Sequence, residues 1–329
     1  MLLASNPEPA RRNRLPRRLA VLLWVAVAPL GAAGAAGRAD VLYQLPRESG
    51  EVGFLDLQTL RASPHYALLK QRLLPARFAQ FERFVVSLGV NTDTDLDWLA
   101  WALLPPNPQN PSELFVGLAQ GQFAPEKAEK FFAQQKLPTE DYNGQTLYPF
   151  GSGQGLYFTF LDPSTAAFGT RRSLEALLDT RLGLRENLLS NDALLAQVQE
   201  VNGLAPVWVA LDEYYTRLAV HQLTPEVARF REFGVVSERF RASLIQMNVE
   251  REVSLSFQAW CNQPADAQTF SMLLQAGLAA QSWQLQSSVP ALSTVLNRAE
   301  VRSSGDRLEV RLWMEEETFQ AFLKQRQPL

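Results

Sequence analysis

Hydrophobic and polar positions split the chain into a leader and a body of alternating short elements. Arg11, Arg12, Arg14, Arg17 and Arg18 form a basic stretch, Leu19 to Leu30 is apolar, and Gly31 to Ala36 are small. Basic, then apolar, then small is the order of a secretory signal peptide. Small side chains at the last and third-last positions fit cleavage after Ala39 or Ala36, so residues 1–39 are expected to be removed on export. The competing expectation is an uncleaved anchor over residues 19–37, which approaches the ~20 residues that span a bilayer. Its second half is Gly and Ala, only weakly hydrophobic. Membrane contact is expected through this segment alone, and only if it is not cleaved. Arg14 stands where the apolar part of a twin-arginine motif should begin, which favours Sec-type export.

Beyond the leader the periods alternate between two and three-to-four. Val52–Leu57 reads as a strand, and Ser63-Pro64 as a helix start. Leu68, Leu69, Leu73, Phe78, Phe81, Phe84, Val85 and Leu88 make one apolar stripe, interrupted at Pro75 and closed by Gly89. Strands are expected at 97–104 and 114–120, a helix from Pro125, and strands at 145–150, 156–161 and 165–168. Helices follow, one capped by Thr170 and one by Ser190 or Asn191.

After Gly203 the programme restarts. Val207–Asp212 echoes the first strand, Thr224-Pro225 its helix start, and 242–249 and 253–260 the next two strands. Pro125, Ala128 and Phe131 have the spacing of Pro264, Ala267 and Phe270, and Asn143-Gly144 is matched with Ser304-Gly305-Asp306 before the strand 308–313. A longer helical insert, 273–296, distinguishes the second copy. The expected fold is α+β: two degenerate modules of mostly antiparallel sheet with helices packed on one face. Residues 40–203 form the first module and 204–329 the second, with a groove expected at the seam between them.

The run Phe160–Gly169, then Ser173–Asp179, Leu189–Leu194 and Val209–Asp212 resembles a family of exported bacterial proteins of unknown function. There a strand, a Gly turn, a helix and a Ser-Leu-x-x-Asn helix start precede a strand ending in Asp. This chain departs from the pattern, having Leu188-Leu-Ser-Asn191 where serine should precede leucine. The resemblance implies export and tandem α+β architecture and brings no site residues with it.

Charge and cysteine usage narrow the setting. The whole chain carries 31 basic and 34 acidic residues; the leader holds six of the former and one of the latter, leaving 25 against 33, a formal −8. Nucleic-acid phosphates would repel such a domain, so no nucleic acid is expected as partner. One cysteine, Cys261, excludes an internal disulfide and leaves stability to a packed core. With no unblocked Asn-x-Ser/Thr acceptor either, the expected location is a bacterial envelope, periplasmic or secreted.

Chemistry-bearing residues are sparse. His65 and His221 each lack a partner at ligand or triad spacing. Cys261 sits at a strand end as a small packed side chain. Asn91, Asp93, Asp95 and Asp97 alternate like calcium ligands but lack the turn glycine and the later bidentate Glu. Gly151–Gly155 lacks the lysine and the strand-then-helix context of a phosphate loop and reads as a hairpin turn. Glu315–Glu317 fit a first helical turn, whereas Arg171-Arg172 stand where the helix dipole disfavours cations. Trp98, Trp101, Trp208, Trp260, Trp283 and Trp313 are expected mainly in the core, the minority reading being a carbohydrate or peptide platform. No catalytic, cofactor or metal residue is assigned. The leading expectation is a non-enzymatic interaction or ligand-binding protein of the envelope, its partner an envelope protein or small ligand. The alternative, a carboxylate-dependent hydrolase, requires two acids facing each other about 5–10 Å apart.

Overall fold

The computed structural model describes residues 41–64, 66–73, 76–106, 114–151, 155–201, 205–223, 237–249 and 253–319; the side chains of 71–73, 76, 77 and 221–223 are not among them. The leader, His65 and the Thr224-Pro225 helix start therefore lie outside the described residues, as does the side chain of His221.

Twelve strands form one antiparallel sheet: β1 (Glu51–Asp56), β2 (Leu96–Leu104), β3 (Leu114–Gly121), β4 (Glu140–Tyr142), β5 (Gln145–Phe150), β6 (Leu156–Asp162), β7 (Thr165–Thr170), β8 (Val207–Leu211), β9 (Phe240–Asn248), β10 (Val253–Cys261), β11 (Glu300–Ser304) and β12 (Arg307–Met314). Their order is β11-β12-β10-β9-β8-β1-β2-β3-β7-β6-β5-β4. The chain is thus α+β, as its periodicity implies. Read outward from the central β1·β8 pair, one side runs β1-β2-β3-β7-β6 and the other β8-β9-β10-β12-β11. Each is a first strand, a helical crossover, a hairpin, a further helix and a second hairpin.

The two halves meet edge to edge. Gly53 pairs with Val209 and Phe54 with Trp208, so the expected seam groove is replaced by a hydrogen-bonded ladder. The position of β6–β7 in the sheet is that of β11–β12, so the Ser304–Asp306 turn corresponds to the Asp162–Ser164 turn. Asn143-Gly144 instead joins β4 to β5, an extension at the far edge. β4 and β11 escape the sequence pattern because neither alternates: their burial reads intermediate–exposed–intermediate in β4, and one buried residue, Val301, in β11.

Two rows of side chains explain the layers. Val301, Val310, Phe257, Ile245, Val209, Gly53, Trp101, Gly117, Phe168, Phe158 and Tyr148 are successive cross-strand partners. All are apolar, aromatic or glycine, so this face needs covering along its whole width. Helices α1 (Leu57–Arg61), α2 (Tyr66–Leu73), α3 (Ala76–Ser87) and α4 (Pro125–Gln134) follow β1 and β3. The α3 ring of Phe81 stacks on Phe168 at 4.2 Å, and Phe132 of α4 meets Tyr148 at 4.9 Å. Gly89, with φ +86°, ends α3, and Val90 N–H donates back to the Val85 carbonyl in a Schellman closure. Phe132 takes the buried place expected of Phe131, which is half-buried against Phe84.

The adjacent row faces the other way and changes character along the sheet. From the centre through the first half it reads Trp208, Phe54, Ala100, Leu118 and Ala167; in the second half, Gln246, Ser256, Arg311 and Glu300. The apolar part is covered by α5 (Arg171–Arg181) and α6 (Asp192–Gln199). Asp179 of α5 accepts from the Tyr142 hydroxyl, and Asn191 caps α6 by accepting from Leu194 N–H. Thr170 precedes α5 but makes no side-chain cap, its hydroxyl meeting Ser173 instead. In the second half α7 (Glu213–Leu223), α8 (Pro264–Leu285) and α9 (Pro290–Asn297) lie on the face of the first row. Thr216 bonds Ser243 at 3.0 Å, and α8 packs on the strands whose Leu255, Leu308 and Leu312 are buried. The residues 273–296 read as one insert are therefore two helices, split at Pro290. No helix among the described residues is long and apolar enough to cross a membrane.

Candidate functional site

The polar stretch of the second row is the floor of the site. On β10, alternation puts Ser254, Ser256, Gln258 and Trp260 on the face without α8. Their partners on β12 are Trp313, Arg311, Glu309 and Arg307. β11 adds Glu300, Arg302 and Ser304. α6 packs over β8 and β9 and so walls one side, leaving β10, β12 and β11 open among the described residues.

Charges on this floor neutralise one another. Arg307 donates to both oxygens of Glu200 at 2.9 and 3.1 Å, Arg311 pairs with Glu309 and Arg302 with Glu300, each at 2.6 Å. The Arg307 guanidinium lies 5.0 Å from the Trp260 ring centre, a cation–π contact that fixes the indole. The Arg307 partnership holds the Glu200 carboxyl below the usual carboxylate range. Gln258 Oε1 is buried with no hydrogen-bond partner, as are Gln197 Oε1 of α6 and Trp208 Nε1 of β8, near the foot of the wall. Buried polar atoms are satisfied as a rule, so each such atom marks a place for water or a ligand group. Trp260 and Trp313 are both half-buried on this face, six residues apart along the strands and thus about 20 Å apart.

The candidate residues read from the chain's spacing are absorbed elsewhere in the fold. Trp98, Trp101 and Trp208 are core, whereas Trp283 is exposed on α8. Asp93 accepts from Lys70, Asp95 from Asn91 N–H and the Thr94 hydroxyl at 2.7 Å each, and Asp97 from Gln58. The acids of this loop serve its turn, and the two bonds hold Asp95 below the usual range. Among the described residues no group of three or more His, Cys, Asp and Glu side chains is placed to hold a metal. Arg171 is paired with Glu140 and Glu175, leaving its charge spoken for. Glu315 accepts from Arg298 at 3.2 Å. Gly151 and Gly155 take positive φ between β5 and β6, consistent with the hairpin reading.

Cys261 is buried at the end of β10, and burial pushes its thiol up to about 12. The thiolate is the reactive form. Native protein should therefore leave Cys261 unmodified by a disulfide reagent at pH 8, and denatured protein should react fully; rapid native reaction would contradict the packing.

A second cleft, of about 500 Å³, lies at the start of α7, lined by Asp212, Glu213, Tyr214, Arg217 and Leu218. Asp212 caps α7, accepting from Tyr215 N–H at 2.9 Å, as Asp56 caps α1 through Thr59. Glu213 pairs with Arg217, so the cleft offers no free second carboxylate. Burial pushes the Asp212 carboxyl above the usual carboxylate range, against the pull of the Tyr215 and Tyr214 amides. The folded chain therefore holds this proton more tightly than the unfolded chain. Stability from this group is full below the unfolded value and is lost as pH rises through the folded one. Asp212→Asn keeps a capping oxygen and removes that loss. The variant should equal or exceed the parent in denaturation midpoint at pH 7, with the difference vanishing below about pH 4.

No family model matches the chain, and neither does any curated protein. Among solved structures it is similar to TP0453, in two crystal forms. For form III the TM-score is 0.44 at 10% identity, over 87% of this chain and 98% of that one. For form IV it is 0.46 at 10% identity, over 86% and 95%. Likeness at this level carries no statement about ligand or activity.

Proposed function

We propose that this chain is an exported protein of the cell envelope and works there as a non-enzymatic binding module. It would be built from two degenerate modules, 40–203 and 204–329, joined at the β1·β8 pair. The proposed ligand surface is the open face of β10, β12 and β11, and the ligand an uncharged polysaccharide strand. The observation that carries this reading is that Trp260 and Trp313 both stand half-buried on a polar sheet face that no helix among the described residues covers. Indole rings stack on the C–H faces of sugar rings, while the Ser254 and Ser256 hydroxyls between them supply hydrogen bonds. The internally paired charges give a charged polymer no net attraction. Export rests on the leader pattern of residues 1–39.

Titration calorimetry of the exported protein against neutral oligosaccharides tests this. Binding is expected, weakened about tenfold or more by Trp260→Ala and by Trp313→Ala, with folding unchanged. Absence of heat across neutral glycans, or binding indifferent to both tryptophans, would end the proposal.

A further inference from the structure

Helix α8 presents to solvent a face that carries no charge and centres on an apolar stripe, with Gln268, Thr269, Gln275 and Gln284 exposed around it. Its buried residues include Ala267, Phe270, Ser271, Leu278, Ser282 and Leu285. On the opposite side Leu273 is 61% exposed, Met272 56% and Trp283 77%, with Ala276, Gly277, Ala279 and Ala280 exposed between them. No Asp, Glu, Lys or Arg occurs from Ala267 to Asn297. A surface helix ordinarily sets charged residues against water on such a face. This one has none.

We infer that α8 is the contact surface for a second copy of this chain, the two helices packing antiparallel about a two-fold axis at the level of Leu278. The spacing carries the inference. Leu273, Ala276, Ala280 and Trp283 recur at intervals of three, four and three, the seam of a coiled-coil contact. That seam is also symmetric in sequence about position 278. Under an antiparallel two-fold, Leu273 of one copy meets Trp283 of the other, and Ala276 meets Ala280. Large therefore packs with large at both ends, and small with small at the centre, where backbones can approach closely. A self-complementary patch is what a two-fold interface requires.

Charge points the same way. Two copies that each carry a net negative charge repel, so a contact between them must lie where neither bears charge. A bilayer is the weaker occupant, because helices that lie on membranes carry Lys and Arg on their polar face, and α8 has neither. The paired helices would bury on the order of 1,000 Å² in total, the lower bound for a specific interface. The contact is thus expected to be reversible. It lies on the sheet face opposite the tryptophan platform and does not depend on the ligand proposed there.

Sedimentation velocity of the exported protein, from micromolar to near-millimolar concentration, should show a monomer–dimer shift. Leu273→Glu and Trp283→Glu should each weaken dimerisation about tenfold or more. Both side chains are exposed, so thermal melts by circular dichroism should coincide with the parent. Orientation is read by mixing Ala276→Cys with Ala280→Cys under mild oxidation. The mixed disulfide should exceed either homodisulfide, and buried Cys261 should not compete. A monomer at every concentration would overturn the inference, as would a dimer unaffected by either substitution or an excess of homodisulfides. Co-sedimentation of a monomer with phosphatidylcholine vesicles, lost in Trp283→Glu, would overturn it in favour of a bilayer.

Discussion

Phe81→Ala should lower the stability of the folded chain by about 3–5 kcal/mol, the range for deleting a fully buried aromatic ring. Phe81 is 0% exposed and is the hub by which α3 holds the sheet. Its ring lies 4.2 Å from Phe168 at an interplanar angle of 8°, and within 6.5 Å of Phe78, Phe150 and Phe158. Those rings come from three strands and the helix itself, all anchored in the sheet, so the space left by truncation has little freedom to collapse. The cavity term then adds to the lost transfer energy. Urea denaturation should show a lower midpoint with an unchanged slope. Val86→Ala on the exposed side of the same helix should stay within about 0.5 kcal/mol. A Phe81→Ala cost near that of Val86→Ala would mean that α3 does not pack through this ring.

The first half of the fold is legible in the sequence because its helices are strongly one-sided. The stripe from Leu69 to Leu88 and the alternation of β10 place the apolar face correctly. Edge elements are hidden for a physical reason: β4 and β11 bury almost nothing, so no period marks them. The seam cannot be read because β1 and β8 are each buried on both faces. Their near-continuous apolar runs, Val52–Leu55 and Val207–Leu211, are what central strands require and do not say which neighbour they pair with. The proposed binding face is half-visible. The polar alternation of Ser254, Ser256 and Gln258 beside Trp260 can be read from sequence, but that α8 lies behind it and α6 stops short of it cannot. Trp283 reads like a core tryptophan because α8 has no charged residue after Asp266 to mark an outer face. The two proposed surfaces lie on opposite faces of the same half-sheet, so a pair joined through α8 would present its two tryptophan platforms outward.

Gly53→Ala should cost roughly 1–3 kcal/mol, and Gly53→Val more, although nothing in the Gly53 backbone conformation demands glycine. The demand is steric. Gly53 sits at the middle of the sheet, between Val209 and Trp101, and the Trp101 indole lies across it. A Cβ built at Gly53 would come within 2.1 Å of Trp101 Cζ2 and 2.3 Å of Cε2. Trp101 cannot swing aside freely, because its Nε1 donates to Glu51 at 2.8 Å and the residue is buried. Gly117 and Phe168 repeat the arrangement two strands away, with a ring atom 2.2 Å from the position a Cβ would take. Glycine is thus the complement of a tilted aromatic ring, at the place where the two halves join. A double-mutant cycle separates this from a general dislike of larger residues. Trp101→Ala alone should be costly, about 3–5 kcal/mol, through loss of the buried ring. In that background Gly53→Ala should become neutral or favourable, because alanine loses less backbone entropy than glycine in a strand. The coupling energy should therefore equal or exceed the whole cost of Gly53→Ala. An unchanged cost in the Trp101→Ala background would show that the ring does not lie over the glycine, and that the central register of the sheet differs from the one described.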